Sequence, residues 1–200
     1  TDDKYTSYED LYELLKQKKK LFIKPFGAGK GTGVNQFQYI NGKPYIGIKR
    51  SSRKEIINYM RKNDDWMISE CMQQHSYSSD LYDKTVNTIR LITMRDIETQ
   101  KIKIFFAVQR IGTSATIPVD NGSRGGLVSK IDLETGELSE ARSLHSLEVH
   151  EVHPDSGAKI KGAVIPGWQD IKKEILALAN KVSFMHFIAW DILVTEEGIS

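Results

Sequence analysis

Cysteine is nearly absent. Cys71 stands alone in the 200 residues, so no disulfide framework and no CxxC metal site can form. No apolar run approaches the roughly 18 residues that a membrane-spanning helix needs. Charge of one sign is also lacking: 28 Lys and Arg against 26 Asp and Glu leave a formal +2. That excess is too small to imply a nucleic-acid or membrane-surface partner. Lys18–Lys20 and the Arg50, Arg53, Lys54 group read as solvated faces. Internal repeats and low-complexity tracts are missing too, and the first residues have no signal-peptide character. A reducing cytoplasm is the expected setting. With 40% hydrophobic residues, three Trp and eight Tyr, the chain can bury a core.

Periodicity and turn chemistry predict the elements. Ser7 and Asp10 resemble a capping box for a helix over 7–19, and Ser52 with Glu55 opens another to about Arg61. Leu21–Ile23 is a short buried strand ended by Pro25, and Asn41-Gly42 is a type I′ hairpin signal between Val34–Ile40 and Tyr45–Ile48. Trp66–Ile68 begins a further strand that runs on to Met72. Long β runs follow at Thr88–Arg95 and Ile102–Arg110. Then come a polar loop over 111–126, a hairpin over Leu127–Leu138, a helix from about Gln169 to Met185 and a strand over His186–Val194. Antiparallel hairpins with separated helices mean α+β. The expected organisation is an N-terminal helix (1–20), a small lobe (21–70) and a larger lobe (71–200), with a ligand between the lobes. Thr195–Gly198 reads as a turn into a strand unfinished at Ser200, as in a truncated fragment.

Gly27, Gly29, Gly31 and Gly33 alternate within a strand–loop–strand context. Glycine-rich loops bind phosphates because backbone N–H groups can approach the oxygens. Lys30 is followed by Gly31, which excludes a Walker A loop, and the segment opens a hairpin, which excludes a dinucleotide-binding βαβ turn. A glycine hairpin lying over phosphates remains, against the alternative of a flexible surface turn. Lys24, charged at the end of an apolar strand, and Lys30 supply two cations beside it.

The run Phe22-Ile23-Lys24-Pro25, then Gly27-Ala28-Gly29-Lys30-Gly31-Thr32-Gly33-Val34, resembles the opening motif of the ATP-grasp superfamily. The segments NTIRLITMR, QRIGT, VDNGSRGGL, HPDSG, IPGW and WDI resemble its sugar-transfer-associated, glutamate-ligase-related branch from Leu21 onward. This resemblance implies an ATP-grasp fold and a cofactor set of ATP and Mg2+. It implies phosphate binding by Lys24, Gly29, Lys30, Gly31 and Gly33, adenine recognition by Glu70 and Met72, and a ribose region at Gln73 or His75. Arg110 would face the transferring phosphoryl group, and Asn87, Asn121, Arg124, Gly125 and Gly126 would line the substrate. Asp191 would ligate magnesium, with Glu and Asn ligands expected beyond Ser200. Arg90 lies on the opposite strand face from Asn87, Ile89 and Leu91; it could hold a phosphate or pair structurally with a carboxylate on the next strand. His153 reads as a packing or surface residue, and no fixed frame makes a metal site of His145, His150 and His153.

The activity implied is ATP-dependent carboxylate activation, with Arg110, Arg90 and Lys30 as catalytic groups and an amine, thiol or hydroxyl as acceptor. Polysaccharide or cell-surface biosynthesis is the expected setting, with small molecules as substrates. Two alternatives stay open: a phosphotransferase, which would leave a stable phosphorylated product, and a nucleotide-binding module without catalysis.

Overall fold

A computed structural model describes residues 7–27, 33–146 and 148–200. The chain divides into two compact units, one ending at Met72 and one running from Gln73.

The first unit comprises α1 (Tyr8–Lys18), β1 (Lys20–Pro25), β2 (Asn35–Ile40), β3 (Lys43–Ile46), β4 (Lys49–Arg50), α2 (Arg53–Lys62) and β5 (Trp66–Glu70). Its sheet is antiparallel throughout, in the order β4-β3-β2-β1-β5. Local chemistry sets the boundaries. Ser7 accepts the Asp10 N–H at 3.1 Å, and the Ser52–Glu55 capping box closes in both directions. Asn41 (φ 49°) and Gly42 (φ 75°) adopt the two left-handed conformations that a type I′ turn requires. Leu21 and Ile23 face the helices and are fully buried with Phe37, Ile56 and Met60; Lys24 lies on the other face, exposed. The N-terminal helix does not stand apart as its own segment: Tyr12, Leu14 and Leu15 enter this same core. The returning strand stops at Ile46 rather than Ile48, because Gly47 turns the chain and leaves Ile48 exposed.

The second unit comprises α3 (Ser76–Leu81), β6 (Ile89–Arg95), β7 (Ile102–Ile111), β8 (Leu127–Ile131), β9 (Leu138–Ser143), β10 (Val149–His150), α4 (Trp168–Lys181), β11 (Phe187–Ile192), β12 (Val194–Thr195) and β13 (Gly198–Ile199). Six strands form an antiparallel sheet in the order β10-β9-β8-β7-β6-β11. Trp168, Ile171 and Ile175 of α4 join the core that contains Ile89, Leu91, Ala107 and Ile111. Alternation along β6 and β7 then puts Arg90, Val108 and Arg110 on the opposite sheet face. The helix α4 ends at Lys181, four residues before Met185, and α3 and β10 are elements that the sequence did not mark. No helix among the described residues is long and apolar enough to cross a membrane.

Candidate functional site

The α4-free face of β6, β7 and β11 carries a connected set of charges. Asp191 on β11 stands directly opposite Arg90 on β6, in register. The pair is bidentate, with Arg90 Nε donating to Oδ1 at 2.9 Å and Nη2 to Oδ2 at 3.0 Å. Arg110, one diagonal step away on β7, bridges two carboxylates. Its Nη1 donates to Asp191 Oδ1 at 2.9 Å and its Nη2 to Asp120 Oδ1 at 2.5 Å. Asp120 Oδ2 accepts both the backbone N–H and the hydroxyl of Thr88, at 2.7 and 2.6 Å. Two guanidinium and two carboxylate groups therefore neutralise one another on a single sheet face.

The members differ in exposure, and that difference decides their roles. The Asp120 side chain is 5% exposed, so its charge depends on Arg110 and Thr88. Asp191 is 54% exposed and the most accessible of the four. Asp191 lies on the α4-free face, on the edge strand β11. An incoming phosphoryl or carboxylate oxygen can compete with Asp191 for Arg110 and Arg90, while Asp120 keeps Arg110 in place. Asp120 and Thr88 were not singled out from the sequence. The available signal was an acid in the loop that follows an arginine at a strand end.

A magnesium ion is tested against the donor set. A carboxylate offers about four lone-pair positions, and the two arginines occupy three at Asp191. Magnesium takes one or two carboxylates and completes its shell with phosphate oxygens and water. No group of three or more His, Cys, Asp or Glu side chains that could hold a metal occurs among the described residues. The half-exposed Asp191 fits one ligand of such an ion, not a protein-only cage.

Other expected site residues have definite places. Asn87 is 2% exposed and its carboxamide is fully engaged: Oδ1 accepts from Thr85 Oγ1 and Gly112 N, and Nδ2 donates to the Ser78 and Tyr82 carbonyls. No polar group remains for a substrate, so Asn87 is corrected to an interior clamp. Asn121 accepts the Ser123 N–H and hydroxyl, and its carbonyl accepts the Arg124 and Gly126 N–H groups. Arg124 is exposed, and Gly125 closes that turn at φ 105°. A Cβ on Gly126 would lie 2.9 Å from the Asp120 carbonyl oxygen, which accounts for the glycine there.

His75 caps α3, accepting the Tyr77 N–H at 3.1 Å on Nδ1, with Nε2 at 3.2 Å from Glu196. Gln73 is exposed beside the buried Gln74. In the first unit, Met72 is exposed, Glu70 pairs with Lys18 at 2.9 Å, and Gly33 ends the glycine segment exposed. Gly29, Lys30 and Gly31 lie outside the described residues.

The loop that carries Asp120 is tied at its start by Asp155, which accepts the Ser114 N–H (2.7 Å) and hydroxyl (3.0 Å). The Ser114 backbone hydrogen bond is the largest cause holding the Asp155 carboxyl below its ordinary value. A depressed acid stabilises the fold above its unfolded pKa and loses that contribution as pH falls through the folded value. Asp155→Asn should therefore lower the thermal midpoint at pH 7, with the difference from the parent chain shrinking as pH falls below about 4 and lost only below the lowered folded value. A constant difference across pH 7 to 3 in thermal unfolding would contradict this account.

Comparison with known proteins gives one match, to a family. No curated protein and no solved structure gives a significant match. The pattern of one family, described as sugar-transfer associated ATP-grasp, matches residues 3–199. With its α+β architecture of antiparallel sheets and nearly its whole length matched, the chain belongs to the sugar-transfer associated ATP-grasp family.

Proposed function

We propose that the chain activates a carboxylate as an acyl phosphate at the expense of ATP, for attack by an amine or similar nucleophile in polysaccharide or cell-surface biosynthesis. Family membership supports ATP-dependent, ligase-type chemistry in general. The observation that carries the finer reading is the Arg90–Asp191–Arg110–Asp120 network. Phosphoryl transfer places negative charge on oxygens in flight and asks the protein mainly for position and opposing charge. Arg110, fixed by the buried Asp120, presents its other terminal nitrogen towards the sheet's α4-free face, and Arg90 stands beside it. Such held donors need little reorganisation as charge develops.

In this reading Lys24, with Lys30 and the glycines Gly29, Gly31 and Gly33, neutralises the phosphates. Glu70 and Met72 take the adenine, and Gln73 or His75 the ribose. Asp191 would hold magnesium, which when bound draws charge from the phosphate oxygens. Asn121, Arg124, Gly125 and Gly126 belong to the turn that would border the acceptor. The substrate carboxylate oxygen attacks the γ-phosphorus and ADP leaves; the nucleophile then attacks the acyl carbon and phosphate leaves with the original carboxylate oxygen.

That oxygen is the test. Carboxylate–amine pairs with 18O in the carboxylate are incubated with ATP and magnesium, and the phosphate is examined by 31P NMR. Label in free phosphate supports the ligase. A stable phosphorylated product assigns a phosphotransferase instead, and ATP binding without turnover of any pair leaves a nucleotide-binding module.

A further inference from the structure

We infer that His153 is a positioning residue: with Asn87 it clamps the Gly112 peptide, and through that peptide it sets the loop that aims Arg110. The inference rests on the proposed use of Arg110 for its catalytic consequence, but its geometry stands independently.

Gly112 is where the chain leaves β7, two residues after Arg110. Its N–H donates to Asn87 Oδ1 at 3.0 Å and its carbonyl lies 2.8 Å from His153 Nε2. His153 is 1% exposed, stacked on the Tyr82 ring at 4.6 Å between centroids and 18° between planes. Its Nδ1 accepts the backbone N–H groups of Asp155 and Ser156, both at 3.2 Å. Two donors pointing at Nδ1 leave no place for a proton there, so the neutral ring carries its hydrogen on Nε2 and donates it to Gly112. A buried imidazole with both nitrogens used by backbone groups has no spare lone pair for a metal or a substrate.

The clamp matters because of what hangs from it. From Gly112 the loop runs through Thr113, whose hydroxyl donates to the Gly125 carbonyl, and through Ser114, held by Asp155, to Asp120. Asp120 then returns to Arg110 and to Thr88, the residue after Asn87. The loop thus closes on itself at the arginine that faces Asp191. Loops of this length without regular structure are ordinarily mobile or functional; here the buried Asn87, His153 and Thr113 hold its start and the buried Asp120 ties its later part to Arg110 and Thr88. Freeing the Gly112 carbonyl loosens the loop at its root and lets Asp120 drift from Arg110.

Two substitutions separate the ring's two contacts. Asn at position 153 can reproduce the Nδ1 acceptor for Asp155 and Ser156 but cannot reach Gly112; Gln can reach Gly112 with its terminal N–H. Hydrogen exchange over 112–126 should accelerate about tenfold or more in His153→Asn and stay within about threefold of the parent chain in His153→Gln. Phosphate release from ATP and magnesium should follow, with kcat down about tenfold in His153→Asn, regained in His153→Gln, and KM for ATP unchanged. In the parent chain, 15N NMR should show a protonated Nε2 and a bare Nδ1. A proton on Nδ1, equal behaviour of the two variants, or acceleration spread over the whole second unit would each overturn the clamp. A chain that releases no phosphate from ATP sinks the proposed function alone, and the exchange and ring-nitrogen measurements still decide the clamp, in variants or in the parent.

Discussion

Replacing Arg110 with methionine is expected to destabilise the second unit by about 3 kcal/mol, because it leaves a buried carboxylate without its cation. Asp120 is 5% exposed and accepts one hydrogen bond from Arg110 and two from Thr88. The Thr88 bonds remain in the variant, and Arg110 itself is 24% exposed, so the loss falls at the lower end of the range for broken buried pairs. Asp191 contributes little to this penalty, since it faces solvent and keeps Arg90. The double change Arg110→Met with Asp120→Asn should regain part of the loss, on the order of 1–2 kcal/mol, by removing the stranded charge. Urea unfolding of the three proteins measures this. A single-variant loss below about 1 kcal/mol, or a double variant no better than the single, would show that water reaches Asp120 and that the network is a surface feature. Activity should fall further than stability explains, by about 10²–10³ in kcat for the loss of one donor to the transferring group.

Gly112→Ala is the second large effect, and its cause is steric. A Cβ there would lie 2.2, 2.4 and 2.6 Å from Thr85 Oγ1, Cγ2 and Cβ. Thr85 is 3% exposed, and its hydroxyl donates to Asn87 Oδ1 at 2.7 Å, so turning it away takes a donor from the clamp. Overpacking of this kind costs about 1–3 kcal/mol, and the lost hydrogen bond adds about 1 kcal/mol. Thr85→Ala relieves the two closest contacts but not the third, so the double variant should recover only part of the stability. Thermal unfolding tests it: a midpoint for Gly112→Ala within about 2 °C of the parent chain would mean that the peptide has room to move.

Short-range chemistry was the legible part of this fold. The Ser52–Glu55 box, the Asn41-Gly42 turn and the alternation that turns Arg90 away from Ile89 and Leu91 all act over a few residues, and the structure contains each. The missed helix α3 shows the limit. Its sequence, Ser-Tyr-Ser-Ser-Asp-Leu, has weak intrinsic helix preference; the His75 ring caps it, and Ser78 and Leu81 are buried by the rest of the unit. Strand β11 is hard to orient from sequence for a different reason. Phe187 to Ile192 is apolar on both faces apart from Asp191, so no alternation marks the face turned away from α4, on which Asp191 meets Arg90.

The candidate site was less legible than the strands that carry it. Arg90 and Asp191 are 101 residues apart in sequence, and the bond from Arg110 to Asp120 spans a loop without periodicity. Asn87 was placed at the substrate by the resemblance alone; only its four side-chain partners reveal a clamp. The resemblance to a family named candidates in sequence order, and packing decided which of those in the second unit touch one another.

The proposed function assigns phosphate charge to Lys24 and magnesium to Asp191. Calorimetric titration of ATP, with and without magnesium, into the chain and into Lys24→Ala and Asp191→Asn tests it most directly. Lys24→Ala is expected to weaken ATP binding about tenfold or more, and Asp191→Asn to remove the dependence on magnesium, while both variants stay folded. Unchanged affinity in Lys24→Ala together with intact magnesium dependence in Asp191→Asn would contradict it.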